Sequence, residues 1–387
     1  MIKMAVYKDK AVKKNPWYFI IEAGSSGGQG RIKRRGFRIK KEAEEAEREL
    51  LNEIKNGLDL SGAKMKVSEL LRSWLRGKQK ISKETKDVYN WLIEDHLIPE
   101  FEGETVQSLS PKKIEGVYLG WRENEDDSLC GDNQKKCHTI LKAALKKAVG
   151  WGAIIKNPAE FVEPPVSEPK EMKYWSSENA HRFLKAAEDD RYYTVFLMAI
   201  TLGMRQGEIL GADETELNLS TKSLGIIRTL DHKGSTLQLK TKTKSSRRSI
   251  GIDKVTLSQL EKVVRRNKRE KLKAGGVYEE HNLLIRTQNG TPVSPRNINR
   301  TFSRIIKQIN NDAKVGEELE KIRFHDLRHT HVVMLLEMRE NNKRIAERLG
   351  WSSVKMLDRY AHISPHMQQD TADAFGEMFY NKNQVAQ

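Results

Sequence analysis

Between Met65 and Phe161, apolar residues recur at i, i+3, i+4 and i+7 in four successive segments: VSELLRSWLRGKQ, SKETKDVYNWLIEDHLIPEF, SPKKIEGVYLGWREN and NQKKCHTILKAALKKAVGWGAI. That period predicts four amphipathic helices packed as one helical domain. Ser110-Pro111 marks a helix start, with a capping hydroxyl followed by proline in the first turn. The first sixty residues carry a different pattern. WYFIIEAG and RIKRRGFRIK are β-rich runs on either side of the turn SSGGQG, and KKEAEEAERELLNEIKNG is a helix stopped at Asn56-Gly57.

Periodicity disappears in NPAEFVEPPVSEPKEMKYW, which reads as an extended, proline-rich linker. Beyond it the pattern is mixed. Ser176 caps a helix, and YYTVFLMAITLGM is a buried helix broken at Gly203. LGIIRTLD, TLQLKTK and RRSIGID are short strands, with Leu237 and Leu239, then Ile250 and Ile252, alternating at period two. The last two strands are expected to form a hairpin with Lys240, Lys242, Lys244, Arg247 and Arg248 near its tip. Asn289-Gly290 is a turn, Ser294-Pro295 opens a helix, and another helix ends at Gly350. The expected fold is α+β and multidomain. It comprises a small N-terminal three-stranded sheet plus helix (1–62), a helical domain (63–162), a linker (163–173) and a mixed, mainly helical domain with a small antiparallel sheet (174–387).

Composition adds a partner class. The 387-residue chain is 32% charged and carries a net charge of +16, an excess that favours polyanions. A generally solvated Lys/Glu-rich surface is the competing reading. Cys130 and Cys137 are the only cysteines and form no CxxC, which argues against a disulfide framework or a zinc knuckle. The N-terminus lacks the apolar core of a signal peptide, and no run has the length to cross a bilayer. A soluble, intracellular protein is expected.

Candidate chemistry sits in three places. In ITLGMRQGEILGADE, Arg205 precedes a helix start and can aim its guanidinium at an anion, with Glu208 placed to orient it. The hairpin lysines could hold a phosphate or protonate a leaving oxygen. In KIRFHDLRHTHVVMLLEM, His325, Arg328 and His329 share one helix face. An HxxxH pair suits zinc, but Asp326 stands where zinc hydrolysis needs glutamate, and no third ligand lies nearby. A phosphate clamp instead needs a second arginine and an acid, roles open to Arg205 and Lys242. Tyr360, one of ten tyrosines, supports no catalytic claim alone.

The order of these pieces, with TLGMRQGEIL, HDLRHTHV and LGWSSVKMLDRYAH as they stand, closely resembles the catalytic signature of the tyrosine recombinases, the phage-integrase family. GFRIKKEAEEAERELL is similar to the arm-DNA-binding segment of lambda-type integrases, and residues 65–165 to their helical core-binding domain, so the resemblance spans nearly the whole chain. It implies a site-specific DNA recombinase in which Tyr360 attacks a phosphodiester, giving a 3′-phosphotyrosine and a free 5′-hydroxyl. Arg205 and Arg328 would stabilise the charged transition state, and His325 would assist proton transfer at the tyrosine. Lys242 would be the general acid, with Lys240 and Lys244 close in register. Trp351 takes a place where many members carry histidine, and its N–H can donate to a phosphate oxygen but cannot shuttle a proton. Glu208 would orient its neighbours, and His329 would be structural or a minor phosphate contact. Arg31, Lys33, Arg34, Arg35, Arg38, Lys240, Lys244 and Arg247 would contact DNA.

The resemblance further implies no cofactor and no metal, because the phosphodiester energy is retained in the covalent link and cations take the place of Mg²⁺. Expected partners are double-stranded DNA at core-type and arm-type attachment sites and a homotetramer exchanging strands through a Holliday junction, with room for an excisionase and a DNA-bending factor. The expected location is the cytoplasm of a bacterial host, on the nucleoid when DNA-bound, with no membrane association. Rival readings are a type IB topoisomerase and a catalytically silent DNA-binding regulator. A zinc enzyme is a more distant rival.

Overall fold

The computed structural model describes residues 2–12, 14–25, 28–55, 65–123, 129–166, 171–239, 248–363, 372–373 and 375–380. The chain divides into two compact units, 1–170 and 171–387.

In the first unit, β1 (Ile2–Lys8), β2 (Trp17–Ser25) and β3 (Gly28–Phe37) form an antiparallel sheet in sequence order, followed by α1 (Lys40–Lys55). Alternation along β2 buries Phe19 and Ile21 against Leu50 of α1. The register sets Arg34 opposite Phe19, on that helix-covered side, whereas Lys33 and Arg35 pair with Ile20 and Tyr18 on the other face. There Lys33 lies 4.2 Å from the Tyr18 ring centroid, and Tyr7 stacks on Tyr18.

The helical part of this unit has its own core. α2 (Val67–Arg76) buries Val67, Leu70, Leu71, Trp74 and Leu75, the stripe that its 3.6-residue period demands. α3 (Lys83–Trp91), capped by Ser82, runs through a wider π-type turn at Leu92–Leu97 into the short α4 (Ile98–Glu100). Pro99 accounts for the widening, because it has no N–H to donate and its ring crowds the carbonyl one turn back. α5 (Pro111–Glu123) and α6 (Gly131–Gly150) complete the bundle. The extended stretch expected after α6 starts later than its composition suggests. Asn157 donates to the Lys142 carbonyl and caps a 3-10 turn at Pro158–Glu160, and Ala159 and Val162 are buried in the helical core.

The second unit opens with Trp175, whose indole donates to the Glu320 carbonyl and joins Phe183, Phe196, Phe302 and Phe324 in an aromatic core. Its helices are α7 (Ser177–Ala186), α8 (Tyr193–Leu202), α9 (Gln206–Leu210), α10 (Lys254–Ala274), α11 (Pro295–Asn311), α12 (Asp326–Glu337) and α13 (Asn342–Leu349). Helices α8 and α13 end at Gly203 and Gly350, both left-handed at φ 61° and 64°, a conformation glycine adopts without Cβ strain.

The small strands depart from expectation. β4 (Leu217–Asn218), β5 (Ser223–Ile226) and β8 (Arg248–Gly251) form one antiparallel sheet, and β6 (Arg228–Leu230) with β7 (Leu237–Leu239) another. Among the described residues β7 and β8 therefore do not pair as a hairpin. The run LGIIRTLD breaks at Ile227, and its two halves take different partners. Leu239 is exposed despite the alternation, while Ile250 is fully buried opposite Leu224. No helix among the described residues is long and apolar enough to cross a membrane.

Candidate active site

The two helix breaks at Gly203 and Gly350 are each followed by site residues. Arg205 lies at the N-terminus of α9, two residues past the Gly203 break, where the chain turns from α8 into a new helix. Glu208, one turn on, reaches back to the Arg205 N–H at 3.1 Å and accepts from its Nη1 at 2.9 Å. That carboxylate is buried, whereas the Arg205 side chain is 42% exposed. The arginine is thus tethered at one end and open to solvent at the other.

His325 precedes α12, and Arg328 and His329 lie in its first turn. Arg328 is only 3% exposed. Its Nη1 and Nη2 donate to the carbonyls of Gly203 and Leu349, each at 2.6 Å. Burial and the nearby Arg205 push its pKa down to about 9, which still leaves the guanidinium charged at neutral pH. The Trp351 ring centroid lies 5.7 Å from that guanidinium, close enough for a cation–π contact.

Tyr360 sits on a 3-10 stretch, Val354–Ile363, that follows the Gly350–Trp351 break. Its ring is buried among Val332, Val333, Ile345, Leu349 and Leu357, with Trp351 against it at 6.2 Å. The hydroxyl is 2.6 Å from Nδ1 of His329. Burial raises the Tyr360 pKa to about 12 even though Arg328 pulls it the other way. Burial, then the neighbouring His325, lowers that of His329 to about 4. The pair is therefore a protonated phenol beside a neutral imidazole. His325 packs edge-on to His329, ring centroids 5.4 Å apart, and its own pKa is lowered by burial and by Arg328.

The fold thus sets His329 and Trp351 against the Tyr360 phenol, His325 against His329 and Arg328 against Trp351, with the Arg205–Glu208 pair near enough to act on Arg328. It is His329, expected to be structural, that contacts the hydroxyl. Lys240, Lys242, Lys244 and Arg247 lie outside the described residues. Of the N-terminal cations, Arg31, Lys33, Arg34 and Arg35 are on β3, while Arg38 follows it with its N–H on the Glu42 carboxylate.

Two features were not readable as site elements. Arg248, expected as a phosphate-seeking cation, is turned inward. Its Nη2 donates to Glu208 at 2.9 Å and its Nε to the Arg348 carbonyl at 2.8 Å. His331 is buried, with Nδ1 donating to the Ile200 carbonyl, which leaves Nε2 to accept from Arg348 Nε at 3.1 Å. Among the described residues no group of three or more His, Cys, Asp or Glu side chains could hold a metal.

Residues 173–367 match the model of the phage integrase family, and residues 5–54 that of an arm DNA-binding domain. A tyrosine recombinase XerC-like protein of Caldanaerobacter subterraneus is 26% identical over 374 residues, covering 90% of this chain and 93% of its own length. The ICEBs1 integrase of Bacillus subtilis is 28% identical over 294 residues, covering 74% of this chain and 76% of its own. Among solved structures, the Tn1549 transposon integrase in complex with transposon right end DNA superposes with a TM-score of 0.68 at 21% identity, over 81% of this chain and 99% of that one. A lambda integrase tetramer bound to a Holliday junction gives a TM-score of 0.56 at 17% identity, over 90% of this chain and 92% of that one. These two likenesses are of fold.

Proposed function

The chain belongs to the phage integrase family, and from that premise we propose that it is the integrase of a mobile element. It cuts and rejoins duplex DNA at attachment sites through a 3′-phosphotyrosine on Tyr360 and a Holliday junction. One observation supports the residue roles above all: a single buried phenol is ringed by His329, Trp351 and Arg328, with Arg205 and His325 adjoining.

The step balances with this chain's own groups. The Tyr360 oxygen attacks phosphorus, its proton passes to an imidazole, and the bond from phosphorus to the 5′-oxygen breaks as Lys242 protonates that oxygen. Arg205 and Arg328 stabilise the negative charge that accumulates on the phosphate oxygens in between. Without DNA the proton stays on the phenol, since the pKa of Tyr360 is about 12 and that of His329 about 4. An incoming phosphate raises the basicity of the histidines beside it, because a nearby anion favours the imidazolium. His329 touches the hydroxyl directly, and His325 stands behind it to share the charge.

The three-part division assigns 1–62 to arm-type sites, 63–162 to the core site and 174–387 to catalysis, with 163–173 as linker. Long-site recognition of this kind serves recombination rather than simple relaxation of supercoils. On DNA the chain acts as a homotetramer in the bacterial cytoplasm, open to control by an excisionase or a bending factor.

The test is to incubate the protein in EDTA with nicked duplexes drawn from the flanks of its own gene, then map any covalent adduct by mass spectrometry. An adduct on Tyr360 supports the assignment and gives the site sequence. An adduct on another tyrosine, or a requirement for metal, overturns it.

A further inference from the structure

Helix α11 presents two faces of opposite character. Pro295, Ile298, Phe302, Ile305 and Ile306 are buried, whereas Arg296, Arg300, Arg304 and Lys307 are exposed on the other side. Its seventeen residues include no carboxylate. Arg304 pairs with Asp190, but Arg296 and Arg300, in the first half of the helix, make no hydrogen bond or ion pair among the described residues. A helix face of unneutralised cations fits the phosphate backbone of duplex DNA.

The same half of α11 adjoins the catalytic residues. Gln206, next in the chain to Arg205, donates through Nε2 to Asn299 Oδ1 at 2.8 Å and to the Pro295 carbonyl at 3.4 Å. That carbonyl can only accept, which fixes Nε2 as the atom of Gln206 turned toward α11 and Oδ1 as the atom of Asn299 that meets it. One acceptor, Gln206 Oε1, and one donor group, Asn299 Nδ2, are left over. Neither is hydrogen-bonded among the described residues, and Asn299 is exposed. In the major groove the adenine edge offers the complement, an N6 donor beside an N7 acceptor, whereas guanine offers two acceptors. We infer that Gln206 and Asn299 together read one A·T pair of the DNA site, beside the phosphate that Arg205 binds, while Arg296 and Arg300 grip the flanking backbone. The bond between the two amides orders them before DNA arrives, so less side-chain freedom is lost on binding. The inference rests on the reading of Arg205 as a phosphate-binding residue.

The experiment first locates the cleaved phosphate from the adduct on the nicked duplex. Each A·T pair within about 10 base pairs of it, one helical turn, is then changed to G·C, and the affinity of the full chain for each intact duplex is measured. For the wild type, one such change should weaken binding by about 10- to 100-fold, because guanine O6 would then face Gln206 Oε1. Asn299→Ala and Gln206→Ala should each reduce the penalty at that same pair to about 3-fold or less and leave the penalties elsewhere unchanged. Arg296→Ala should instead weaken binding to every duplex alike and lower the salt slope by about 0.9. A wild-type profile in which no A·T pair matters overturns the inference, as does an Asn299→Ala profile that is unaltered or uniformly weakened. Should Gln206→Ala fail to fold by circular dichroism, the exposed Asn299 carries the test alone. A wild-type protein that forms no adduct at all would remove the underlying reading, and this inference with it, so the two failures are distinguishable.

Discussion

Nδ1 of His329 lies 2.6 Å from the hydroxyl oxygen of Tyr360, although the residues are 31 positions apart and on different elements. In the tautomer that leaves Nδ1 bare, the phenol donates to it, and the atom that receives the proton is already in place. Tyr360→Phe should therefore abolish adduct formation while leaving DNA affinity within about 5-fold, since one hydroxyl contributes about 1 kcal/mol. His329→Ala should retain DNA binding and slow cleavage by about 100-fold, the usual size of a lost general base. Wild-type cleavage by that variant would transfer the role to His325. Single-turnover kinetics on the nicked duplex separates the outcomes.

His331 makes stability depend on pH. Burial, then Arg348, lowers its pKa from 6.5 to about 3, so the unfolded chain binds the proton more readily than the folded one. Its contribution is complete above pH 6.5 and is lost as the pH falls toward 3, at about 1.4 kcal/mol per pH unit. His331→Gln, which can still donate to Ile200 and accept from Arg348 but cannot titrate, should flatten the acid limb by about one proton. Urea midpoints measured from pH 7 to 4 would show it, and an unchanged slope would refute the assignment.

Gly203 should resist substitution. Its φ is 61°, and a Cβ there would meet His331 Cδ2 at 2.4 Å. Gly203→Ala is expected to cost about 2–4 kcal/mol, combining left-handed strain with overpacking. Because the Gly203 carbonyl holds Arg328, whatever remains folded should also cleave poorly. A variant with the wild-type urea midpoint would mean that His331 moves aside freely.

In the N-terminal sheet, register separates the cations. Lys33→Ala and Arg35→Ala, on the face with Tyr18, should each lower the slope of log affinity against log salt by about 0.9, one phosphate contact's worth. Arg34→Ala, on the Phe19 side, should leave the slope unchanged. Equal effects at all three positions would indicate that the sheet binds through net charge rather than through one face.

Local chemistry was legible and partner choice was not. The helical period of VSELLRSWLRG gave α2 and its buried stripe, and Gly203 and Gly350 announced the two breaks that hold the site. The spacing of His325, Arg328 and His329 placed them together, but not which histidine meets the phenol. That depends on how the 3-10 stretch carrying Tyr360 packs across α12, a relation between distant segments. The strands failed for the same reason: alternation predicts a strand but does not name its neighbour, so β7 and β8 were read as a hairpin although each pairs elsewhere. Arg248 read as a surface cation because only the buried Glu208 makes an inward arginine tolerable.

Among the described residues Arg328 has no hydrogen bond or ion pair to a carboxylate; its two short bonds go to carbonyls at the C-terminal ends of α8 and α13. Each helix end carries roughly half a negative charge, so the pair offsets the guanidinium through dipoles, with the buried Glu208 adding to the balance. Dipoles of this kind bind no proton. The two bonds that seat the cation therefore hold in mildly acidic as in neutral solution.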